Sequence, residues 1–235
     1  MKQEAPSDRE GQFTNPLRPE SVMPMKRRIT TVSFDVDGTL VTPSFADLVW
    51  LEALPQAVSD CWKISLEDAK QRLYADYDSI GQQRPEWYDL QYWVKRYRLE
   101  LNPRNFVLQY KNAVTVYPEV VDVLEELSER FDLAIVSNSS RLFLDVTTEP
   151  LRSYFKHVYS TLSDLGMMKD TRAYTTVCGR IGINPHEMAH IGDSLELDYI
   201  RAKRAGLRAF YLDRKGRRHG RYFVKDLKEF AMRLG

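Results

Sequence analysis

Hydrophobic residues along the chain form two kinds of pattern: short continuous runs, and longer segments in which they repeat every three to four residues. Continuous runs are typical of parallel strands buried on both faces, and repeating segments are typical of helices with one buried face. The continuous runs predict five strands, at 29–34, 132–137, 157–160, 188–192 and 208–212. Because strands and helices alternate along most of the chain, we expect an α/β fold with a doubly wound, mostly parallel sheet.

The repeating segments predict helices between the later strands. One helix is expected to begin at Pro118. Its inner face is expected to carry four aliphatic side chains, those of Val120, Val121, Leu124 and Leu127. Three further helices are expected, at 142–154, 171–181 and 195–205. Gly206 directly follows the last of them, as is typical of a left-handed helix terminus.

The segment 43–112 shows the helical pattern throughout. Ser65 is a predicted N-cap for a helix that stops at Gly81. Asn102, followed by Pro103, predicts the start of another helix. We therefore expect an α-helical cap domain inserted into the α/β core.

The rest of the chain divides by composition. Residues 28–42 and 113–235 carry the predicted strands and form the predicted α/β core domain. Residues 1–27 are rich in Gln, Glu, Pro, Ser and Arg and show no hydrophobic period. Such a composition buries too little apolar surface to fold, so we expect a disordered leader.

Composition limits the classes of partner. The 235 residues are 43% hydrophobic and 29% charged, which suffices for one α/β core with an insertion. The formal net charge is +1, so charge does not indicate nucleic acid or an acidic membrane surface as a partner. Two widely spaced cysteines, and no apolar stretch of about 18 residues, predict a cytoplasmic protein without a membrane partner. The oligomeric state is left open.

The segment from Phe34 to Leu40 carries the first candidate chemistry. Asp35 and Asp37 follow a buried strand and share one face of its end, directly before Gly38. Ligands of open α/β sheets bind in the crevice beyond the carboxyl ends of the strands, where this pair would lie. Asp-Gly is also common in turns, but Asp-x-Asp-Gly-Thr tied to a hydrophobic strand favours a functional site.

Two more strand ends carry polar residues. The second strand ends at Ser137, and the fourth strand is followed by Asp193 and, five residues on, by Asp198. Together with Lys169 between them, these segments resemble, in this order, the haloacid dehalogenase superfamily of Asp-nucleophile hydrolases. The resemblance covers most of the chain and includes the helical insertion as a cap that selects the substrate.

The resemblance implies a role for each matching residue. Asp35 would be the nucleophile and Asp37 the general acid and base. The implied phosphate-binding residues are Ser137, Asn138 and Lys169, the last of which balances charge. The implied magnesium ligands are Asp35, Asp37 through its main-chain carbonyl, and Asp193. The implied supporting residues are Thr39 and Asp198.

Two positions depart from the family pattern. Lys169 is followed by Asp170 where the family usually has proline, and Leu197 stands where asparagine is common. Arg172 is therefore an alternative to Lys169 as the residue that balances charge in the site.

The residue types also fit this chemistry on physical grounds. Three carboxylates and a phosphate dianion in one crevice repel one another by about 1 kcal/mol per pair at about 4 Å in water, and more at lower dielectric. A divalent cation must therefore lie among them, and magnesium suits a site made of oxygen ligands. The sequence thus predicts a magnesium-dependent phosphatase that acts on a small phosphorylated metabolite through an aspartyl-phosphate.

Three alternatives stay open. A 2-haloacid dehalogenase would use Asp35 without a metal, but halide leaves without a proton and gives Asp37 no task. A phosphomutase would use the same core residues and differ in how the cap excludes water. A catalytically idle module that binds a partner would have no physical reason to keep these converging polar groups.

Several other groups are interpreted as structural. The aromatic residues of the cap are expected to pack its helices together more than to line a pocket: Trp87, Tyr88, Tyr92, Trp93 and Tyr97. Four basic residues of the cap are expected on a solvated face: Arg84, Lys95, Arg96 and Arg98. The histidines are expected to be structural or surface residues: His157, His186, His190 and His219. The basic run 214–221 is expected to form a solvated loop.

Overall fold

The computed structural model describes residues 28–234, so the predicted leader at 1–27 lies outside the described residues. In this part of the chain a parallel sheet of six strands has the order β3-β2-β1-β4-β5-β6. Its strands are β1 (Thr31–Phe34), β2 (Asp132–Ser137), β3 (His157–Ser160), β4 (Met188–Gly192), β5 (Arg208–Leu212) and β6 (Phe223–Val224). The expected α/β fold with a doubly wound parallel sheet is confirmed.

The strands lie close to their predicted positions. β2 to β5 have the predicted bounds, and β1 begins at Thr31 rather than at residue 29. The sequence does not predict β6, because its two residues are too few to give a hydrophobic pattern. β1 lies at the centre, between β2 and β4, so the carboxyl ends of these three strands meet at one edge.

The centre of the sheet is buried on both faces. All four residues of β1 are buried, which fits its run of β-branched and aromatic residues. Phe34 packs edge-on against Phe155 and Phe230, with ring centroids 6.0 Å apart in both pairs. Burying such rings supplies much of the free energy that holds helices against a sheet. β1 therefore has a fixed position from which the residues that follow it project.

Helices flank the sheet. The α-helices of the core are Val120–Ser128, Arg141–Thr147, Thr161–Leu165, Thr171–Ile181, Ala202–Arg204 and Leu227–Leu234. A wider π-helical segment at Leu195–Arg201 leads into Ala202–Arg204, and 3-10 turns lie at Glu149–Tyr154 and Pro185–Glu187. Gly206 has a φ of 94°, as expected for the left-handed residue that ends a helix. Among residues 28–234, no helix has both the length and the apolar character that crossing a membrane requires.

The helix predicted at 142–154 is shorter than expected. It ends at Thr147 and is followed by a 3-10 turn. The reason is Pro150, which has no N–H to donate and whose ring would clash with a continuing helical backbone.

The helix after Pro118 has a different inner face from the predicted one. It begins at Val120 rather than at Pro118 itself. Val123 is 2% exposed and packs in the core, whereas Val121 is 39% exposed and was wrongly assigned to the inner face. Positions 120, 123, 124 and 127 lie three to four residues apart, which is the spacing of one helix face.

The inserted segment is helical throughout. Its α-helices are Ser44–Asp47, Leu54–Trp62, Leu66–Ile80, Leu90–Arg96 and Pro103–Leu108. A π-helical stretch at Leu48–Ala53 joins the first two, and 3-10 turns lie at Pro85–Tyr88 and Lys111–Ala113. Ser65 and Asn102 are confirmed as N-caps, since their side chains accept the main-chain N–H groups of the third residue on at 3.0 Å.

The cap has a hydrophobic cluster of its own, with the fully buried Trp93 among its members. Phe143 from the core also belongs to this cluster, and Trp50 of the cap stacks on its ring at 5.1 Å with 6° between the planes. Where the cap joins the core, the Thr42 N–H donates to the Thr115 carbonyl at 2.8 Å. The exact boundaries at residues 43 and 112 stay a prediction.

The corrected face of the helix Val120–Ser128 can be tested with two substitutions. Leu124 is fully buried, so we expect Leu124→Ala to lower the free energy of unfolding by about 2–5 kcal/mol. We expect Val121→Ala, on the exposed face, to change it by no more than about 0.5 kcal/mol. Urea unfolding followed by circular dichroism measures both values. Equal losses in the two variants would contradict the corrected face.

Candidate active site

A tight turn after β1 places the first two acids at the edge of the sheet. The Asp35 N–H donates to the Ile191 carbonyl at 2.9 Å, which continues the pairing with β4. The chain then turns back, and the N–H groups of Leu40 and Val41 donate to the Val36 carbonyl at 2.8 and 3.1 Å. Asp35 and Asp37 leave the strand within this turn and line the same cavity.

Gly38 is required by the closeness of the opposite strand end. Its φ is 75°, and a Cβ atom built on it would lie 2.1 Å from Asp193 Oδ2. A side chain at position 38 would therefore be strained and would also displace Asp193. Gly38 thus lets the ends of β1 and β4 approach each other.

Lys169 lies between two carboxylates and is only 2% exposed. Its Nζ atom donates to Asp35 Oδ1 at 2.5 Å and to the Val136 carbonyl at 3.3 Å, and it lies 2.6 Å from Asp198 Oδ1. Because these partners lie after β1, within β2 and in the helical segment after β4, the ammonium group connects all three.

Lys169 and Arg172, the two candidates for the charge-balancing residue, differ in their placement. Arg172 is exposed and lies outside the residues that line the cavity, whereas Lys169 lies at its base. Asp170, which replaces the usual proline, has a structural role, because its carboxylate accepts the Ala173 N–H at 2.8 Å and caps the helix Thr171–Ile181. This departure from the family pattern therefore leaves the lysine in place.

A buried hydrogen-bonded group lies behind Asp198. Asp198 Oδ2 accepts the Ser194 N–H at 2.9 Å, and Asp198 Oδ1 lies 3.2 Å from His190 Nε2. His190 is fully buried, with its Nδ1 atom 2.8 Å from Ser33 Oγ and its Nε2 atom 2.9 Å from the Tyr174 hydroxyl. His190 is thus a structural residue, as expected, and it contacts the acid that contacts Lys169.

Burial and charge act in opposite directions on the cluster. Burial raises the pKa of Asp35 to about 8, although Lys169 opposes this change. Burial alone would raise the pKa of Asp198 as well. The opposing effect of Lys169 and His190 is larger, so the pKa of Asp198 lies well below its usual range. Burial favours a neutral Lys169, but Asp198 and Asp35 together raise its pKa above the usual value. Lys169 therefore stays charged, and one positive charge faces several carboxylates.

The donor atoms fit a hard divalent cation. One carboxylate oxygen each from Asp35, Asp193 and Asp198 lies within 4.8 Å of the others. Both Asp198 oxygens already have partners, the Ser194 N–H and Lys169, so Asp35 and Asp193 are the side chains best placed to hold a metal. Oxygen ligands with excess negative charge are what magnesium prefers.

Asp37 is held in place by the side chain of Ser139. The Ser139 hydroxyl donates to Asp37 Oδ2 at 3.1 Å. Burial raises the pKa of Asp37, and this hydrogen bond opposes the increase. A raised pKa keeps the proton on a carboxyl group at higher pH, which is what a general acid needs.

The three remaining predicted site residues, Ser137, Asn138 and Thr39, differ in whether they line the cavity. Ser137 lines the cavity, and its Oγ atom accepts the Ser139 N–H at 3.1 Å. Asn138 also lines the cavity. Its Oδ1 atom accepts hydrogen bonds from the Lys169 N–H at 2.6 Å and from the Thr161 hydroxyl at 2.8 Å. Its Nδ2 atom has no hydrogen-bond partner among the described residues. Thr39 is fully buried and does not line the cavity.

The acids open into a cavity of about 490 Å³ between the core and the cap. Of the aromatic residues interpreted as packing groups, Tyr92, Trp93 and Tyr97 lie outside its lining, but Trp87 and Tyr88 are part of it. The lining also includes residues that the sequence pattern does not connect with a cavity, among them Asp47, Trp50, Tyr77, Gln82 and Phe143. They lie in helices or between them, where hydrophobic spacing indicates packing and gives no separate signal for a cavity.

The basic residues of the cap lie outside this cavity. Arg84 forms an exposed ion pair with Glu86 at 2.8 Å, and Arg96 pairs with Asp76 through two nitrogens at 2.8 and 2.9 Å. Lys95 and Arg98 are both exposed and both lie outside the lining of the cavity.

Arg214, the first residue of the basic run, corrects the interpretation of that run as a solvated loop. Its guanidinium donates to the main-chain oxygens of Gly38 and Thr39 at 3.1 and 2.7 Å and to Glu119 at 2.8 Å. The group also lies 3.5 Å from the centre of the Tyr117 ring. Arg214 therefore holds the turn that carries the acids, and no sequence spacing indicates this contact.

Comparisons with known proteins show which family the chain is similar to. A family model described as a haloacid dehalogenase-like hydrolase matches residues 29–206. A curated glyceraldehyde 3-phosphate phosphatase from Methanopyrus kandleri is 27% identical over 198 residues, which cover 76% of this chain and 82% of the relative.

A HAD phosphatase from Thermococcus onnurineus is among the solved structures with the same fold. Its TM-score is 0.78 at 27% sequence identity, and the match covers 88% of this chain and 98% of that one. The HAD-hydrolase YfnB from Bacillus subtilis, bound to magnesium, gives a TM-score of 0.61 at 22% identity, with coverage of 88% and 99%. A 2-haloacid dehalogenase from Pseudomonas syringae gives 0.54 at 20% identity, with coverage of 88% and 98%. At this level of identity, the last two show the fold alone.

Fold, site and matches together define the protein as a hydrolase. Because the family model covers most of the chain, the protein belongs to the haloacid dehalogenase-like hydrolases.

The buried ion pairs of Lys169 give a direct test of the cluster. We expect Lys169→Met to lower the free energy of unfolding by about 3–5 kcal/mol, because it leaves two buried carboxylates without their cation. Arg172→Met is the matched control, since Arg172 is exposed, and should change stability by no more than about 0.5 kcal/mol. Urea unfolding without added metal measures both. If Arg172→Met proves as destabilising as Lys169→Met, the assignment of the charge-balancing residue is wrong.

Proposed function

We propose that the protein is a magnesium-dependent phosphatase that removes phosphate from a small phosphorylated metabolite through an aspartyl-phosphate at Asp35. The observation that carries this proposal is the convergence of Asp35, Asp37 and Asp193 on one cavity, with Lys169 at its base. A set of acids with one buried cation is suited to bind a phosphate group together with a divalent ion.

Asp35 and Asp37 divide the chemistry between them in this proposal. One oxygen of Asp35 attacks phosphorus and forms a phosphorus–oxygen bond, while the bond from phosphorus to the leaving oxygen breaks. Asp37 gives its proton to that leaving oxygen, so the product departs as an alcohol. A water molecule then attacks phosphorus, gives its proton to Asp37, and releases inorganic phosphate from Asp35.

The surrounding residues position the phosphate and balance its charge. The Ser137 hydroxyl and the free amide nitrogen of Asn138 are available as donors to phosphate oxygens. Lys169 keeps Asp35 in place through a charged hydrogen bond. When bound by Asp35, Asp193 and the Asp37 carbonyl, magnesium would neutralise negative charge on the phosphate oxygens.

The relatives support the phosphatase assignment over the dehalogenase. The curated relative is a glyceraldehyde 3-phosphate phosphatase, and the solved structure from Thermococcus onnurineus, at 27% identity, is a HAD phosphatase. A dehalogenase does not need a proton donor for halide, whereas Asp37 is held in place by Ser139. A triose phosphate is therefore one candidate substrate, and a cytoplasmic location stays a prediction from the sequence.

A release assay tests this function. Wild-type protein is offered a panel of phosphorylated metabolites and of 2-haloacids, with magnesium or with EDTA, and inorganic phosphate and halide are measured. We expect phosphate release that requires magnesium and that disappears in Asp35→Asn. We expect Asp37→Asn to lower the rate by about 10²–10⁴-fold, the usual contribution of a general acid.

The control variant is Asp78→Asn, an exposed carboxylate on the cap outside the cavity, which should retain the wild-type rate. Halide release without metal would instead favour the dehalogenase. Transfer of phosphate between two positions of a substrate would favour the mutase, and inactivity on the whole panel would favour the idle module.

A further inference from the structure

The cap side of the active-site cavity is a continuous wall of aromatic rings. Trp50 stacks on Phe143 at 5.1 Å, and Tyr77 packs edge-on against Trp50 at 6.2 Å. Trp87 in turn lies 6.4 Å from Tyr77, and Tyr88 lies 4.8 Å from Trp87. Because each ring is held by a neighbouring ring, the wall is rigid and presents flat apolar surface to whatever fills the cavity.

The wall has no free positive charge. Among the described residues that line the cavity, Lys169 is the one basic side chain, and it is buried against Asp35 and Asp198. Among the basic residues of the cap, Arg84 and Arg96 form ion pairs outside the cavity. A second anionic group held against this wall would therefore find no unpaired cation among the described residues that line this cavity.

Asp47 adds a negative charge to the same wall. It lies one helical turn before Trp50 and lines the cavity. A carboxylate on a bound substrate would be placed against aromatic faces, which are themselves negative, and near Asp47.

We propose that this wall, formed by Asp47, Trp50, Tyr77, Trp87 and Tyr88, selects phosphomonoesters whose leaving group is flat or apolar and has no second anionic group. The proposal rests on the proposed phosphatase function and adds to it the chemical class of the substrate. It excludes phosphorylated carboxylic acids and bisphosphates, and it admits phosphates of neutral alcohols and of ring compounds.

Two matched pairs of compounds test the selection. Glycerol 3-phosphate and 3-phosphoglycerate share their carbon chain and differ in a hydroxymethyl group against a carboxylate. Phenyl phosphate and 4-carboxyphenyl phosphate differ in the same way on a ring. We expect wild-type kcat/KM to be higher by about tenfold or more for the uncharged member of each pair, because like charges oppose one another at close range.

A charge reversal on the wall should change this preference. We expect Asp47→Lys to reduce the ratio of kcat/KM within each pair by about fivefold or more, since it replaces a repulsive charge by an attractive one. The matched control is Asp60→Lys, which makes the same charge change on an exposed cap position outside the cavity and should leave the ratio unchanged. Equal effects of the two variants, or a wild-type preference for the charged members, would overturn the proposal.

Binding to Asp35→Asn separates this proposal from the proposed function. This variant has no nucleophile, so calorimetry with the four compounds in the presence of magnesium measures recognition without turnover. We expect phenyl phosphate to bind most tightly and each uncharged compound to bind more tightly than its partner. If this ranking holds but the wild-type protein releases no phosphate, the function fails and the selection stands. If phosphate is released but the ranking is absent, or if none of the four compounds binds, the selection is wrong.

Discussion

The contact on which the rest of the site depends is the buried ammonium group of Lys169 between the carboxylates of Asp35 and Asp198. It joins residues that follow three different strands, so the site can form only when the sheet has its final order. Without the ammonium group, two buried carboxylates would have no cation, which costs several kcal/mol. Asn138 and His190 act through this contact, because the first holds the Lys169 main chain and the second contacts Asp198.

The same contact leaves the site short of positive charge, and this shortage connects the fold to the chemistry. One lysine does not neutralise the carboxylates that meet at the sheet edge, so a divalent cation held there would complete the charge balance for a bound phosphate group. The cap then closes the apolar side of the cavity with Trp50 and its neighbours. Most of the charged groups therefore lie at the floor of the cavity, and the wall of aromatic rings and Asp47 faces the rest of the substrate.

The parts of the site that the sequence predicted are those that depend on local pattern. Asp35, Asp37 and Asp193 follow hydrophobic strands directly, and parallel strands carry their ends to one edge. The choice between Lys169 and Arg172 required the structure, because both lie near the start of one helix. The sequence did not predict the positions of Arg214 and Trp50. Arg214 is fixed by contacts to residues far away in the chain, which leave no local pattern. Trp50 shows only the spacing that is typical of helix packing.

The central claim is that the Asp35 carboxylate becomes covalently bound to phosphorus during turnover. The most direct measurement is to quench the protein in acid during turnover of a phosphomonoester, reduce any acyl phosphate with borohydride, and locate the modified residue by peptide mass spectrometry. The account predicts that Asp35 is converted to homoserine, and that conversion requires both substrate and magnesium. Phosphate release with an unmodified Asp35, or a phosphoryl group found on Ser137 instead, would contradict it.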